Sequence, residues 1–439
     1  MPFAAFDLHK KMTEAVVLGD DGSIRHRERF PSTRECFLAF AQKQLGADTV
    51  LAMEATFNTW PVVALLKPFV KRVVVSNPMQ TRAIAAAKVK TDKIDALILA
   101  RLLRMDFLPE VWQPDETTQQ LRRSTTERAV LTCDQTRIKN RIHSILHQRL
   151  IEPPSGDLFS QKNLDWLAAL PLDPQGHEFL QRQLRLLLQL ETELEDVVQA
   201  QRCTAYHNPQ VKLLMTLPGV DFTVAETVLA ALGDITRFPS ADKAAAYLGL
   251  VPSTHQSGEN CYHGRITKQG NSHARWMLTE AAQTACNHPG PLGAFFRKLS
   301  KRKNRNIAIT AVARKLVSIA WHMLKNNEPY RYAIPSTLDA KFDRMRIAVT
   351  GKRKRGGNPK GAPRPASYGS GNSTRAIHSI DKVMADNDLP PVAGAKPGES
   401  KFLEEKGLTG FAATIHQERR VPRKESPKRP RTASPAPRK

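Results

Sequence analysis

Apolar residues fall in short blocks up to residue 76 and recur with a helical period beyond residue 92. Residues 3–8, 12–18 and 24–30 read as three strands, with turn chemistry in Gly19-Asp20-Asp21-Gly22 between the second and third. Pro31-Ser32 opens a helix running to about Leu45, a strand over 49–53 leads to Glu54, a helix covers 58–68, and Lys71 to Ser76 form a fifth strand. Three successive strands followed by strand–helix alternation predict a mixed α/β sheet domain over residues 1–115.

The pattern then becomes helical. Over 117–150, Leu121, Val130, Leu131, Ile138, Ile142, Ile145 and Leu146 keep a helical spacing, while Arg122, Arg123, Arg128, Arg137, Lys139, Arg141 and Arg149 make the rest of the surface cationic. A second helix over 177–206 sets Leu180, Leu184, Leu187, Leu194 and Val198 at heptad spacing, interrupted by Glu191. That seam serves either an intermolecular coiled coil or an antiparallel hairpin with the first helix. The region 116–207 is thus expected to be helical or coiled-coil, and 208–335 mostly α. The latter holds a turn at Leu217-Pro218-Gly219-Val220, helices over 223–232, 241–248, 273–286 and 307–324, and a long polar loop from Gly249 to Asn271. The Pro-Gly turn between short helices suits backbone amides gripping a nucleic-acid phosphate.

Beyond Ala333 the periodicity fades. Residues 351–439 carry 20 Lys and Arg against 8 Asp and Glu, an excess of 12, half of the chain's net +24. With its Pro, Gly and Ser content, the stretch 336–439 is expected to be a basic, largely disordered tail, with Phe402 to Ile415 as a segment that folds on a partner.

Composition sharpens this picture. A chain of 439 residues with 41% apolar content buries real cores, and a net charge of +24 points to a polyanionic partner, nucleic acid before anionic membrane. No run of 18 apolar residues spans a bilayer, and Asp7 and His9 interrupt the N-terminus before a signal-peptide core forms. Five scattered cysteines, Cys36, Cys133, Cys203, Cys261 and Cys286, fit reduced thiols better than a disulfide framework. Cys261-Tyr262-His263 with His255 and His273 lacks the paired spacing of a zinc site.

Within Lys90-Thr91-Asp92-Lys93-Ile94-Asp95-Ala96, Asp92 and Asp95 stand three apart at the start of an apolar helix, so their carboxylates share one face. Asp7 and Glu54 each close an apolar strand, at the end of the sheet where ligands of α/β folds gather. Four convergent carboxylates make a seat for Mg²⁺, which takes few protein oxygens and leaves room for phosphate. Taken singly, acids that start a helix merely complement its dipole. In the preceding segment 77–90, Arg82, Lys88 and Lys90 either meet a phosphate backbone or form a solvated flank. In the polar loop, Ser257 precedes Gly258, and Arg265, Lys268 and Arg275 follow. A serine hydroxyl attacks phosphorus when its proton is removed and cations stabilise the developing charge, although serine before glycine is also an ordinary turn residue. Ser253 and Thr254 are alternative hydroxyls. A further basic patch holds Lys301 and Arg302.

Together these motifs resemble an insertion-sequence-110 family transposase, the group of bridge-RNA-guided recombinases. The marks are Asp7-Leu8-His9-Lys10, Glu54-Ala55-Thr56 and Lys90 to Ala96, then Leu217-Pro218-Gly219-Val220, Tyr247 to Pro252, Ser257-Gly258, and Ile266-Thr267-Lys268-Gln269-Gly270-Asn271 followed by Arg275. The likeness spans roughly residues 3–333 and omits the tail. It implies a RuvC-like, RNase H-type domain over 1–115 whose Asp7, Glu54, Asp92 and Asp95 form a DEDD Mg²⁺ site, and a C-terminal serine transposase domain over 208–335 with Ser257 as nucleophile. It implies that the two sites act together through a phosphoserine intermediate, on donor and target DNA paired with a structured guide RNA. It further implies a dimer or tetramer, with the 177–206 helix as the contact, and a cytoplasmic, nucleoid-associated place in a bacterium. Arg122, Arg123, Lys139, Arg141, Arg265, Lys268, Arg275, Lys301 and Arg302 are the candidate nucleic-acid contacts. Two departures from the family pattern stand near the sites: Phe57 where glycine usually follows Glu-Ala-Thr, and Glu259-Asn260 after Ser257-Gly258. The rival expectations are a junction nuclease that hydrolyses with the four acids alone, and a noncatalytic RNA-binding protein.

Overall fold

A computed structural model describes residues 1–84, 91–258, 260–352 and 374–422. Lys88, Lys90 and Glu259 lie outside these described residues. The chain divides into two compact units, Met1–Asp115 and Glu116–Lys439.

The first unit contains β1 (Phe3–Leu8), β2 (Met12–Leu18), β3 (Ile24–Pro31), α1 (Arg34–Gln44), β4 (Val50–Glu54), α2 (Thr59–Leu66), β5 (Arg72–Ser76), α3 (Pro78–Ile84) and α4 (Asp92–Arg104). Its sheet runs β3-β2-β1-β4-β5. The β1–β2 and β2–β3 pairs are antiparallel, and β1–β4 and β4–β5 are parallel. The period of two along each strand sorts side chains into two layers. Ala4, Phe6, Leu8, Leu51, Met53, Val73 and Val75 meet Phe37, Phe40, Val62 and Leu66 of α1 and α2. Phe3, Ala5, Val16, Leu18, Val50, Ala52 and Val74 meet Ala96, Leu99, Ala100 and Leu103 of α4. The side chains of Thr33 and Thr91 cap α1 and α4 by accepting from the amides of Cys36 and Ile94.

The second unit opens with α5 (Glu116–Gln148), α6 (Gln161–Ala168) and α7 (Pro174–His207). Cross-links between α5 and α7 run in opposite order: Gln201 Nε2 donates to Ser124 Oγ (3.0 Å), Gln135 Nε2 to Glu191 Oε1 (3.3 Å), and Arg149 Nη2 to Asp173 Oδ1 (2.8 Å). The pair is therefore an antiparallel hairpin. Leu180 and Leu187 of the heptad seam are buried with Ile138, Ile142, Leu146 and Leu167, which removes them from any intermolecular seam. Glu191, the polar interruption, sits against Gln135 and lies 4.0 Å from Lys139 Nζ.

There follow α8 (Pro209–Met215), α9 (Phe222–Leu232), α10 (Ala241–Tyr247), β6 (Pro252–Ser257), β7 (Asn260–Ile266), α11 (Ser272–Ala285), α12 (Pro291–Ser300), α13 (Arg305–Asn326) and α14 (Pro335–Thr350). Every residue of α9 from Thr223 to Leu232 is buried, so this helix is the axis on which the others pack. By length and composition α13 could cross a membrane, but half of its apolar window is buried in the unit, where Val312, Leu316, Val317 and Ala320 join the core. The carbonyl side of the Leu217–Val220 turn is taken up within the fold. Leu217 and Val220 are buried, and Lys341 Nζ of α14 donates to the carbonyls of Met215 (3.0 Å), Leu217 (2.9 Å) and Val220 (2.8 Å).

Glu226, in the middle of α9, is only 2% exposed, and its Oε2 has no hydrogen-bond partner. Burial pushes its carboxyl up to about 7, with the Arg128 guanidinium pulling the other way. In the unfolded chain the group titrates near its ordinary 4.5, so between the two values the native state holds a proton that the unfolded state has released. Stability attached to that proton is present below about 4.5 and lost as pH rises through about 7. Glu226→Gln should therefore stabilise the protein above pH ~7 by up to about 3 kcal/mol and leave it unchanged below pH ~4.5. Denaturant unfolding across that range measures the effect, and a pH-independent difference would reject the assignment.

The expected disordered tail needs correction. The boundary drawn at 335/336 falls at the start of α14, and beyond it lie β8 (Thr374–Ile377), α15 (Ile380–Ala385), α16 (Pro397–Glu405), α17 (Thr409–Thr414) and β9 (Arg419–Pro422), with β8 paired to β9 antiparallel. Ile380, Val383, Met384, Leu389, Leu403, Leu408 and Ile415 are buried in the same core as α9 and α13. The segment 402–415 thus folds on its own chain. High charge averaged over 351–439 concealed a few well-placed apolar side chains, and burial depends on those rather than on the average. Ile380→Ala should cost ~2–5 kcal/mol of unfolding free energy. A loss within measurement error would mean that this segment does not belong to the core.

Candidate active site

In the first unit the site follows from strand parity. The register Phe6↔Met53 places Asp7 and Glu54 one step further along neighbouring parallel strands. Both continue the rows that face α4, Asp7 after Phe3 and Ala5, Glu54 after Val50 and Ala52. Asp92 and Asp95 occupy the first turn of α4 itself. The sheet and helix thereby bring the four acids to one end of one layer.

His9 links two of them. Its Nε2 lies 3.2 Å from Asp7 Oδ2 and 3.3 Å from Asp92 Oδ1, and the three ligand atoms lie within 4.8 Å of one another. Arg29 Nη2 stands 3.9 Å from Asp92 Oδ2. Asp7 is 9% exposed, and burial raises its carboxyl above the usual range. His9 opposes that shift, and the charges of Asp92 and Asp95 add to it. The His9 imidazole bridges the two carboxylates. With the repulsion that Asp92 and Asp95 exert on Asp7, the carboxylate oxygens of this cluster fit a hard divalent ion such as Mg²⁺.

Two neighbours escaped the sequence reading. Glu14 lies directly across from Asp7 in the β1–β2 ladder and is 2% exposed; an acid inside the apolar strand Met12–Leu18 was the available signal. Ser76, paired with Glu54 in the β4–β5 ladder, is fully buried with an unpartnered Oγ. In the sequence His9 stands only as part of the Asp7-Leu8-His9-Lys10 motif.

In the second unit, the stretch expected as a polar loop is instead the β6–β7 hairpin. Ser257 is the last residue of β6, opposite Asn260. The hairpin base is clamped where Thr267 N donates to Val251 O (2.9 Å) and Lys268 N to Gly249 O (3.2 Å). Gly249 and Gly270 have positive φ, and a Cβ on either would collide with backbone of the facing segment, so both glycines are needed for that close approach. Toward its tip the hairpin stands clear: His255, Gln256, Ser257, Gly258, Asn260, Cys261, Tyr262 and His263 are all exposed. Cys261 and His263 lie with their Sγ and Nε2 3.9 Å apart, and the cysteines of the described residues are all free thiols.

The candidate cations separate by what they touch. Arg122 donates to the carbonyls of Ala230 (2.8 Å) and Ala231 (3.4 Å) at the end of α9, and Arg275 Nη1 to that of Leu248 (3.1 Å). Both serve structure. Lys139 lies over the Phe159 ring and near Glu191, and Arg123 pairs with Glu116 at 2.7 Å while staying exposed. Arg141, Arg265, Lys268, Lys301 and Arg302 are exposed and are the better placed for phosphates.

Comparison with known proteins decides the family. A profile described as "Transposase IS116/IS110/IS902 family" matches residues 211–297, which include Ser257, and a "Transposase" profile for the DEDD proteins of IS110 matches residues 4–150, which include all four acids. The chain belongs to the IS110 family of transposases. It is 32% identical over 263 residues to the y4qE protein of Sinorhizobium fredii, named as a transposase, covering 53% of this chain and 64% of that protein. It is 29% identical over 167 residues to the "Transposase for insertion sequence element IS1111A" of Coxiella burnetii, covering 37% of this chain and 46% of that protein. It is 27% identical over 290 residues to the "Pilin gene-inverting protein" of Moraxella bovis, covering 64% and 81%. The chain thus spans less than two thirds of the length of the first two relatives. In this IS110-family chain both matched segments contain a candidate catalytic group.

Proposed function

We propose that this chain is a Mg²⁺-dependent DNA recombinase that cuts and rejoins strands through Ser257 to mobilise an insertion element. The observation that carries the reading is the convergence of Asp7, Glu54, Asp92 and Asp95 on the α4 face of a mixed sheet whose β3-β2-β1-β4-β5 order is consistent with an RNase H-like domain. Mg²⁺ held by those carboxylates would polarise the scissile phosphate and stabilise charge on its oxygens.

Ser257 Oγ attacks phosphorus, a P–O bond to deoxyribose breaks as the Oγ–P bond forms, and the hydroxyl proton leaves to an acceptor. A sugar hydroxyl of a second strand then attacks the phosphoserine, restoring the diester and freeing Ser257. Joining two DNA molecules this way needs two nucleophiles, hence at least a dimer. Leu180 and Leu187 of the α7 seam are buried within their own chain, but Leu186 and Leu188 on that helix stay exposed and offer a different contact. Exposed cations and the net charge of +24 suit a nucleic-acid partner in the cytoplasm of a bacterium, bound through backbone and shape. Sequence choice then falls to base pairing with a structured guide RNA. The relative named for pilin gene inversion supports rearrangement of DNA as the outcome.

The test is a strand-exchange assay with purified full-length protein, Mg²⁺, donor and target DNA, and the noncoding RNA transcribed beside the gene. Recombinant joints that require both RNA and metal are expected. Free hydrolysed ends with no joints would favour a junction nuclease.

A further inference from the structure

The β6–β7 hairpin has two faces, and strand parity assigns their occupants. Ser257 pairs with Asn260 and His255 with Tyr262, so these four side chains share one face. The opposite face carries Gln256, Cys261, Thr254 and His263, where Thr254 Oγ1 and His263 Nδ1 are 3.0 Å apart. The second face is thus closed by an internal hydrogen bond, while the first presents Tyr262 at 68% exposure. A bare two-stranded ribbon is marginal in water, and a large aromatic standing out from it adds apolar surface that no described residue covers.

We infer that the Ser257 face of this hairpin is a docking platform for single-stranded DNA, with the Tyr262 ring stacking an unpaired base next to the phosphate offered to Ser257. This rests on the reading of Ser257 as nucleophile for its purpose but not for its geometry. Tyr262 is the diagonal cross-strand neighbour of Ser257, and such neighbours stand ~7–8 Å apart. That separation is comparable to the step between successive nucleotides, so a base seated on the ring sets an adjacent phosphate beside the hydroxyl. Charge agrees with this occupant: Arg265 at the end of β7 and Lys268 beyond it are exposed, and between Pro252 and Gln269 the only acid is Glu259. Base–aromatic stacking tolerates any sequence because every base has a π face, as suits a protein that leaves sequence choice to pairing.

The test uses full-length protein and a mixed-sequence single-stranded DNA oligonucleotide carrying a photoreactive halogenated uracil, with cross-linked residues mapped by mass spectrometry and affinity measured in parallel at fixed salt. A cross-link at Tyr262 is expected, with affinity roughly tenfold weaker in Tyr262→Ala and retained in Tyr262→Phe and Tyr262→Trp. Equal affinity for Tyr262→Ala and wild type, or cross-links that bypass β7, would overturn the platform. So would an equal loss in Tyr262→Phe, since the ring is then not the feature that matters. In Ser257→Ala the Tyr262 cross-link should persist. If wild type shows that cross-link but never a denaturation-resistant protein–DNA bond, the nucleophile assignment fails while the platform stands.

Discussion

Ser257→Ala protein, mixed in Mg²⁺ with the DNA and guide RNA proposed above, should bind both nucleic acids normally yet form no bond to DNA that survives denaturation. Recombination should fall by at least about a thousandfold, because removing a nucleophile removes the covalent route itself rather than weakening a contact. The expectation is specific to Ser257 among the hydroxyls of β6. Ser253 lies lower on the strand, at the clamped base, and Thr254 sits on the opposite face, with its hydroxyl beside His263. Alanine at either should leave the adduct in place. Recombination that persists in Ser257→Ala would end the nucleophile assignment, and cleavage that persists without an adduct would favour hydrolysis by the acids alone. The substitution is at an exposed strand end beside Gly258, whose surroundings are open, so loss of folding does not confound the result.

Asp92→Asn is the second large effect. Asp92 Oδ1 and Asp7 Oδ2 flank the same imidazole nitrogen at 3.3 and 3.2 Å, so replacing one carboxylate removes a full charge from the place where a cation would sit. Strand cleavage in Mg²⁺ should drop by about a hundredfold or more, the equivalent of several kcal/mol of lost charge stabilisation. Binding of RNA and DNA should be retained, since the exposed cations proposed to bind them lie elsewhere in the chain. Raising the Mg²⁺ concentration should recover part of the activity if the defect is one of metal affinity. Cleavage equal to wild type would defeat the metal-site assignment, and so would a similar loss of nucleic-acid binding, which would locate the effect in docking rather than chemistry.

The half-exposed Asp92 and the exposed Ser257 also show why neither substitution should cost much stability. Neither Asp92 nor Ser257 is in a packed layer, whereas Asp7 is 9% exposed with a raised carboxyl. Neutralising Asp7 relieves repulsion from Asp92 and Asp95 and should not destabilise the unit, which thermal unfolding can check.

Much of the first unit was legible from residue order. Strands over 3–8 and 12–18, the acids that close β1 and β4, and the Thr91-capped helix carrying Asp92 and Asp95 all depend on short apolar runs and capping, which neighbouring residues specify. Local pattern also showed that residues 117–150 and 177–206 are helices. It left open whether their apolar seam meets another chain or its own, because heptad spacing is the same in both cases. The α5–α7 cross-links decided for the hairpin. In sequence the hairpin β6–β7 looks like a loop because its residues are polar on both faces, so the period-two signal that marks a half-buried strand is missing. For Arg122 and Arg275 a sequence shows the charge but not the carbonyls of Ala230, Ala231 and Leu248 to which those guanidinium groups donate.

What the sequence determined by itself is the chemistry at hand and the local elements that carry it: carboxylates at strand and helix ends, a serine before a glycine, and an excess of positive charge. Only tertiary structure decided which of these groups meet and which face water. Strand pairing put Asp7, Glu54 and the start of α4 in one layer with His9 between two acids, and apolar residues dispersed through a basic tail found a distant core. Those outcomes depend on contacts between residues far apart in the chain, which no local window of sequence encodes.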